Sequence, residues 1–271
     1  MVRGGACIPG SPSGTDCRSR TNPESKRSLD RNGFWNYNSR CYCIYRVSRK
    51  RVNFMSQATP PSGKNIPTRT RHTFFAARYN RNSSSKMERD LMRPLRREMV
   101  GKAYGVVIEI GAGTGLNFEF YEPGQVEHVE ATDLDSAMLD YARENRQSAR
   151  VPITITQAPA EMLPFADATF DCAVSTLVFC SVSDQVQGLA EIKRVLKPGG
   201  TLLMIEHVRS KRRIVAGLQD IVTPITKRIL GNCHWNRDTV RNIIDAGFKM
   251  TELRNLKRTT LPMVLVEARS M

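Results

Sequence analysis

From residue 106 onward, short runs of β-branched and apolar residues alternate with stretches in which apolar positions recur at helical spacing. Val106, Val107, Ile108 and Ile110 form one such run, the pattern of a strand covered on both faces of a parallel sheet. Similar runs predict strands over 129–133, 153–155, 170–176 and 201–206, and closing strands over 249–253 and 263–268. Between them, Met138, Leu139 and Ala142 give the inward face of a helix over 136–145. Val186, Leu189, Ile192 and Val195 give that of another, capped by Ser183 and stopped by Pro198-Gly199-Gly200. Residues 236–246 also read as helical. Strand–helix alternation of this kind implies an α/β fold, a parallel sheet with helices on both faces.

Two amphipathic stretches flank this pattern. Residues 74–100 begin the folded part. There Ser85 and Glu88 have capping-box spacing, Met87, Leu91, Leu95 and Met99 make one apolar face, and Pro94 kinks the helix by removing a backbone donor. Arg89, Arg93, Arg96 and Arg97 cover the remaining surface and read as a solvated face, with an acidic-lipid or phosphate contact as the alternative. In the second stretch, within 208–235, Ile214, Leu218, Ile221, Val222, Ile225 and Ile229 form a stripe with Arg212, Arg213, Lys227 and Arg228 at its ends. That stripe either packs on the domain's own core or forms a lid over an apolar pocket that touches a membrane surface.

Charge divides the chain. The formal net charge is +15, but residues 1–104 hold 22 Lys+Arg against 6 Asp+Glu, and residues 105–271 hold 19 against 20. The basic excess is therefore outside the part with α/β patterning, and nucleic acid is not an expected partner of that part. Residues 1–54 lack periodicity and enough apolar area to fold alone. Three readings stay open: an upstream extension of a chain whose translation begins at Met55, a disordered basic tail, or a transit peptide without its amphipathic helix. Residues 55–73 read as a flexible linker. No segment has the ~20 consecutive apolar residues of a membrane-spanning helix, and a cytoplasmic setting is expected, with peripheral membrane contact open.

Of the seven cysteines, Cys7, Cys17, Cys41 and Cys43 lie near the start, and Cys172, Cys180 and Cys233 are scattered among apolar neighbours. The odd number favours a reducing compartment. Cys41-Tyr-Cys43 has no second ligand pair at usable spacing, so no metal site is expected.

The candidate chemistry centres on 106–117, VVIEIGAGTGLN. Gly111, Gly113 and Gly115 let a strand turn sharply and let its backbone approach a ligand. A helix start beyond the turn presents unpaired N–H groups to that ligand. Asp133, 22 residues after Gly111 at the end of the second strand, can accept hydrogen bonds from both ribose hydroxyls of a nucleoside. The pairing still admits a nicotinamide dehydrogenase. The G-x-G-x-G spacing, the acidic Glu109 before the turn and the later segments argue against it.

The blocks EIGAGTG, ATDLDSAML, AEMLPFADATFD and VLKPGG together resemble the class I S-adenosylmethionine-dependent methyltransferases, in the branch similar to ubiquinone and menaquinone methyltransferases. LNFEFYEPG, STLVFCSV, EHV and GNC resemble the membrane-associated animal thiol methyltransferases and their bacterial relatives. The resemblance covers about residues 74–268 and implies a Rossmann-like, seven-stranded, mostly parallel sheet with the last strand antiparallel. It implies S-adenosyl-L-methionine as cofactor, Glu109 holding the methionine end, and Gly111, Ala112 and Gly113 packing against it. Asp133 would bind ribose and Leu134 would lie against adenine. The family's acidic adenine contact is replaced by Pro159, leaving Ala160 or Glu161 to supply it. Ser175, Thr176 and Leu177 would end the fourth strand beneath the sulfonium, with Thr176 equally explained by plain strand propensity.

Methyl transfer needs nucleophile and methyl carbon held in line. His207, after the fifth strand, is the candidate base or substrate contact, with Tyr79 and His234 near the lids. The expected reaction is transfer to a small, fairly apolar acceptor through O, S or C. N-methylation of a phospholipid headgroup is the enzymatic alternative. A basic RNA-binding protein acting through its N-terminal arm is the alternative of another class. Truncation at Met55 separates the classes: an enzyme is expected to keep its activity, whereas an arm-driven binder is expected to lose its affinity and its steep salt dependence.

Overall fold

The computed structural model describes residues 70–229, 232–256 and 261–271. The expectations for 1–54, and for most of 55–73, lie outside the described residues. In chain order the strands are β1 (Gly105–Ile110), β2 (Val126–Asp133), β3 (Ile153–Gln157), β4 (Phe170–Thr176), β5 (Leu196–His207), β6 (Phe248–Leu256) and β7 (Met263–Ser270). The helices are α1 (Thr73–Asn82), α2 (Arg93–Val100), α3 (Ser136–Asn145), α4 (Gln185–Val195), α5 (Arg213–Ile229) and α6 (Thr239–Asp245).

All seven strands join one sheet in the order β3-β2-β1-β4-β5-β7-β6. β1 pairs parallel with β2 and β4, β2 with β3, and β4 with β5. β7 runs antiparallel to both neighbours. The expected sheet, including its antiparallel last strand, is the one observed. Chain order reverses between β1 and β4, and open α/β sheets bind ligands at that switch point, beyond the carboxyl ends of the strands.

Side chains alternate across β1 and build two cores. Val107 joins a cluster with Met92, Met99, Phe118, Tyr121 and Leu139. Ile108 and Ile110 join the opposite one with Leu189, Ile192, Val195 and Phe170. Full burial of one such aliphatic side chain stabilises the fold by about 1.5–3 kcal/mol. No helix of the described residues is long and apolar enough to cross a membrane.

The N-terminal helical stretch departs from its expected register. Ser85 does cap it, accepting the Glu88 N–H at 3.2 Å. The Glu88 carboxylate does not return to Ser85; it pairs with Arg96 instead. Residues Glu88–Met92 form a π-helical turn that runs directly into α2, and Pro94, which has no N–H to donate, falls just after that wider turn. The wider turn rotates the following face, so Met92 and Met99 are buried whereas Met87 is exposed.

Two further boundaries differ. α4 is capped by Asp184, whose carboxylate accepts from the Val186 and Gln187 N–H groups, and not by Ser183. β5 starts at Leu196, which pairs with Phe170 across a register shift, so Pro198-Gly199-Gly200 lies inside the strand assignment.

α5 is inverted relative to an ordinary amphipathic helix. Its buried side is Ala216, Gln219, Thr223 and Thr226, whereas Ile214, Leu218, Ile221 and Ile225 are exposed. The polar side is held by specific bonds: Gln219 Oε1 accepts from Ser210 N–H, and Gln219 Nε2 donates to the carbonyls of Val208 and Trp235. The reading of the stripe as packing on the domain's own core is therefore corrected.

Candidate active site

The glycines of the turn adopt the conformations their sequence demands, but the helix expected after them is absent: only a three-residue 3-10 turn, Phe118–Phe120, follows before β2, so the turn's own backbone and not a helix start faces the ligand side. Gly111 has φ +65°, and a Cβ there would meet Val178 at 2.4 Å, so packing and backbone both require glycine. Gly113, at φ +57°, is different. A Cβ there would meet nothing nearer than Tyr79 Cε1 at 3.9 Å, so its open side is free for a ligand. Ala112 is buried, its N–H bonded to the Thr132 carbonyl. Gly115 is closed by the Phe118 ring. Tyr79 reaches the turn from α1, which packs through Ala76 on Ala137 and Met138 of α3.

Asp133 ties the turn to β2. Its Oδ2 accepts the Gly113 N–H at 2.9 Å and its Oδ1 the Asp135 N–H at 2.8 Å. Asp135 caps α3, its carboxylate accepting the Ala137 N–H, and also accepts from His72. Asp133 is thus left at the rim of the turn with lone pairs to spare. Leu134 beside it is half-buried. Burial pushes the Asp133 carboxyl up to about 6, against opposing backbone donors from Asp135 and Gly113.

Glu109 is only 1% exposed, and both its oxygens are occupied: Oε1 accepts from Asn117 Nδ2 and Oε2 from the Tyr121 hydroxyl, each at 2.8 Å. Asn117 passes the contact on, its Oδ1 accepting from Arg96 Nη1 at 2.9 Å. Arg96 Nη1 also donates to Thr176 Oγ1 at 2.7 Å, and Arg96 Nε to Glu88 at 2.9 Å. Burial raises the Glu109 carboxyl to about 7, opposed by the Tyr121 and Asn117 bonds and the Arg96 charge. Burial also raises the Tyr79 phenol, with the Arg96 charge opposing.

Arg96 and Asn117 were not singled out as site residues, and the solvated-face reading is corrected for Arg96, which is 2% exposed. The available signal was Glu88, eight residues upstream and two helical turns away on the same face. Arg96 Nη2, Ser175 Oγ and Thr114 Oγ1 are buried without a hydrogen-bond partner. Among the described residues these three atoms are left for an ordered water or a polar ligand to satisfy.

The remaining predicted residues are placed less uniformly. Glu161 Oε1 accepts from the Asp184 N–H, so that carboxylate faces the start of α4; Ala160 beside it is buried. Leu177 has φ +59° and turns the chain out of β4 so that Val178, Phe179 and Cys180 all donate their N–H groups to the buried Glu206 carboxylate. Burial raises Glu206 to about 7 despite these donors. His207 follows, with its Nδ1 enclosed and unbonded. A ring nitrogen of His207 and the sulfurs of Cys180 and Cys233 lie within 4.8 Å of one another, so these two cysteines are not scattered. His234 is partly buried, which pushes its imidazole down to about 4, helped by Arg237 and Lys227. It borders a cavity of about 440 Å³ along α5, away from the glycine turn.

A seven-stranded sheet with β7 reversed, and an acidic strand end followed by a glycine turn at the switch point, define a class I methyltransferase architecture. Residues 108–204 match a family model described as a methyltransferase domain. The chain is 34% identical over 184 residues to thiol S-methyltransferase TMT1B of Rattus norvegicus, covering 67% of this chain and 74% of that one. It is 30% identical over 172 residues to ubiquinone/menaquinone biosynthesis C-methyltransferase UbiE of Saccharophagus degradans, covering 55% and 69%. An S-adenosylmethionine-dependent methyltransferase of Mesorhizobium loti superposes with a TM-score of 0.51 at 19% identity, over 65% of this chain and 96% of that one. The chain belongs to the class I S-adenosylmethionine-dependent methyltransferases, in the branch of the thiol and quinone methyltransferases, and S-adenosyl-L-methionine is its cofactor.

The three raised carboxyls set a pH dependence. Glu109 and Glu206 have an ordinary value of 4.5 and Asp133 of 3.8, so each binds its proton more tightly folded than unfolded. The stability gained from that proton is full below the unfolded values and is lost as pH rises toward 6–7. Ligand-free protein is expected to melt at a lower temperature at pH 8 than at pH 5.5, read by calorimetry. The opposite order would mean that Arg96 and the backbone donors hold these groups ionised.

Proposed function

We propose that the chain methylates a small, fairly apolar nucleophile, a thiol before a phenol or carbon acceptor. The buried Arg96–Asn117–Glu109 network beside the open face of Gly113 is the observation that carries the cofactor half of this reading. Arg96, whose Nη2 alone is unbonded, is assigned to the cofactor's carboxylate through a single charge-assisted contact. Glu109 acts through Asn117 and Tyr121, keeping the pocket negative beneath the methionine amine. Asp133 accepts from the ribose hydroxyls, Leu134 lies along the adenine, and the backbone at Ala160 is left to meet the adenine edge. Thr176 orients Arg96 and Asn117. The thiol preference rests on the 34% identity to the rat enzyme.

The bound cofactor supplies a methyl group on a positively charged sulfur, already activated for displacement. The protein's part is alignment and exclusion of water, and positioning of this kind can contribute about 7–11 kcal/mol. Tyr79 over Gly113 closes the turn from the α1 side. Asp133→Ala is expected to weaken binding of S-adenosylhomocysteine at least about tenfold, the loss of a charge-assisted pair of hydrogen bonds. Unchanged affinity by titration calorimetry would remove Asp133 from the ribose site. A screen of alkyl thiols, quinol precursors and aminophospholipids with labelled cofactor identifies the acceptor class.

The exposed Ile214, Leu218, Ile221 and Ile225 face of α5, bordered by Lys211, Arg212, Arg213, Lys227 and Arg228, supports a second element of the reading. We infer that this face rests on an anionic membrane surface, where apolar acceptors concentrate. Replacing Ile214 and Ile221 by serine is expected to lower co-sedimentation with anionic phospholipid vesicles several-fold without changing S-adenosylhomocysteine affinity. Equal sedimentation of the double variant and the parent would remove this surface from the account.

A further inference from the structure

Cys180, His207 and Cys233 come from three separate segments: the loop after β4, the end of β5, and the stretch after α5. Their separations, 27 and 26 residues, match no metal-ligand spacing, and only the fold brings the blocks STLVFCSV, EHV and GNC that carry them together. The Cys180 and Cys233 sulfurs are 3.2 Å apart, and a ring nitrogen of His207 completes a triangle with no edge longer than 4.8 Å. Both cysteines are buried and free.

Each of the three is fixed by its own scaffold. The Glu206 carboxylate gathers the N–H groups of Val178, Phe179 and Cys180, and Arg237 donates to the carbonyls of Phe179 and Val182, so the Cys180 loop has a set shape. The Thr226 hydroxyl donates to the Cys233 carbonyl at 2.8 Å, and the His234 N–H donates to the Cys180 carbonyl at 2.8 Å, locking the two cysteine segments together. His207 ends β5, paired with Met263 of β7. Among the described residues, the enclosed His207 Nδ1 has no hydrogen-bond partner.

Two chemistries use a close cysteine pair. A disulfide needs the sulfurs at about 2.05 Å, a closure of more than an ångström, and gives the imidazole no role. Tetrahedral zinc, with Zn–S near 2.3 Å, sets two thiolates roughly 3.8 Å apart, an opening of about half an ångström, and uses the imidazole as third ligand. Thiolate with imidazole is also a donor set that favours zinc over magnesium or calcium.

We propose that Cys180, His207 and Cys233 form a three-ligand zinc site whose fourth tetrahedral position is open to water or an incoming thiolate. Zinc uptake releases the remaining thiol protons to solvent and leaves oxidation states unchanged. Such a site clamps the β4 loop to the segment after α5. It also makes His207 a ligand, and so unavailable as a base. The inference goes beyond the methyl-transfer reading, because none of the residues assigned to the cofactor takes part.

The test uses the full chain with Cys7, Cys17, Cys41 and Cys43 replaced by serine, reduced and stripped with chelator, and titrated with Co²⁺ as the probe. One Co²⁺ per chain is expected, with thiolate charge-transfer and tetrahedral d–d absorption that Zn²⁺ abolishes and with proton release on binding. Cys180→Ser, Cys233→Ser and His207→Ala should each lower Co²⁺ affinity at least about tenfold, while Cys172→Ser leaves it unchanged. S-adenosylhomocysteine binding reports, separately, that each variant is folded and that the cofactor assignment holds. Absence of thiolate–cobalt absorption in the reduced parent would overturn the proposal, as would an undiminished signal in Cys180→Ser. A Cys180–Cys233 disulfide in untreated protein that takes up no metal after reduction would assign the pair to redox chemistry instead.

Discussion

A carboxylate buried at the end of a central strand must be satisfied internally, and Glu109 imposes that requirement on everything around β1. An ionised carboxyl away from water is costly unless hydrogen-bonded and paired. Here the Asn117 amide and the Tyr121 hydroxyl each donate to it, and Arg96 brings positive charge through Asn117. Satisfying Glu109 therefore fixes the short helical turn after the glycines, which carries Asn117 into place, and requires α2 to lie across the strand ends. The π-helical turn before α2 belongs to the same requirement, because it rotates the helix so that Arg96, with Met92 and Met99, faces inward.

The second buried acid, Glu206, does for β4 and β5 what Glu109 does for β1. It collects three successive backbone donors from the loop after Leu177 and so shapes the wall opposite the glycine turn. Val178 from that loop packs under Gly111. The two acids thus hold the two sides of the switch-point crevice, one through side chains and the other through backbone. Both are raised to about 7 by burial, which makes the ligand-free site sensitive to pH and ready to exchange a proton for a ligand's charge.

The sheet was legible in the sequence because β-branched runs and the glycine turn are local signals. Every predicted strand is present, and Asp133, at the end of β2, accepts the Gly113 N–H of the turn. What escaped was set by tertiary contact. Arg96 lies among three other arginines that read as a solvated face, and beside its helix neighbour Glu88 it is the distant partners Asn117 and Thr176 that draw it inside. Cys180 and Cys233 looked scattered because 53 residues separate them. The stripe on α5 was visible, but its direction was not: Gln219 and Thr226 won the inner side by bonding loop carbonyls that no periodicity reveals, while Thr223 turns its hydroxyl onto the helix's own Gln219 carbonyl. Ser183 and Asp184 are adjacent capping residues, and which of them caps depends on where the β4 loop delivers the chain.

The central claim is that Arg96 and Glu109 act as one coupled unit in holding the cofactor. A double-mutant cycle on S-adenosylhomocysteine affinity, with Arg96→Met, Glu109→Gln and both together, tests it most directly. Coupling through Asn117 predicts a double variant little weaker than the worse single one, with an interaction energy of about 1–3 kcal/mol, the range for residues in one network. Losses that simply add, within about 0.5 kcal/mol, would show that the two residues serve the site independently and contradict the account.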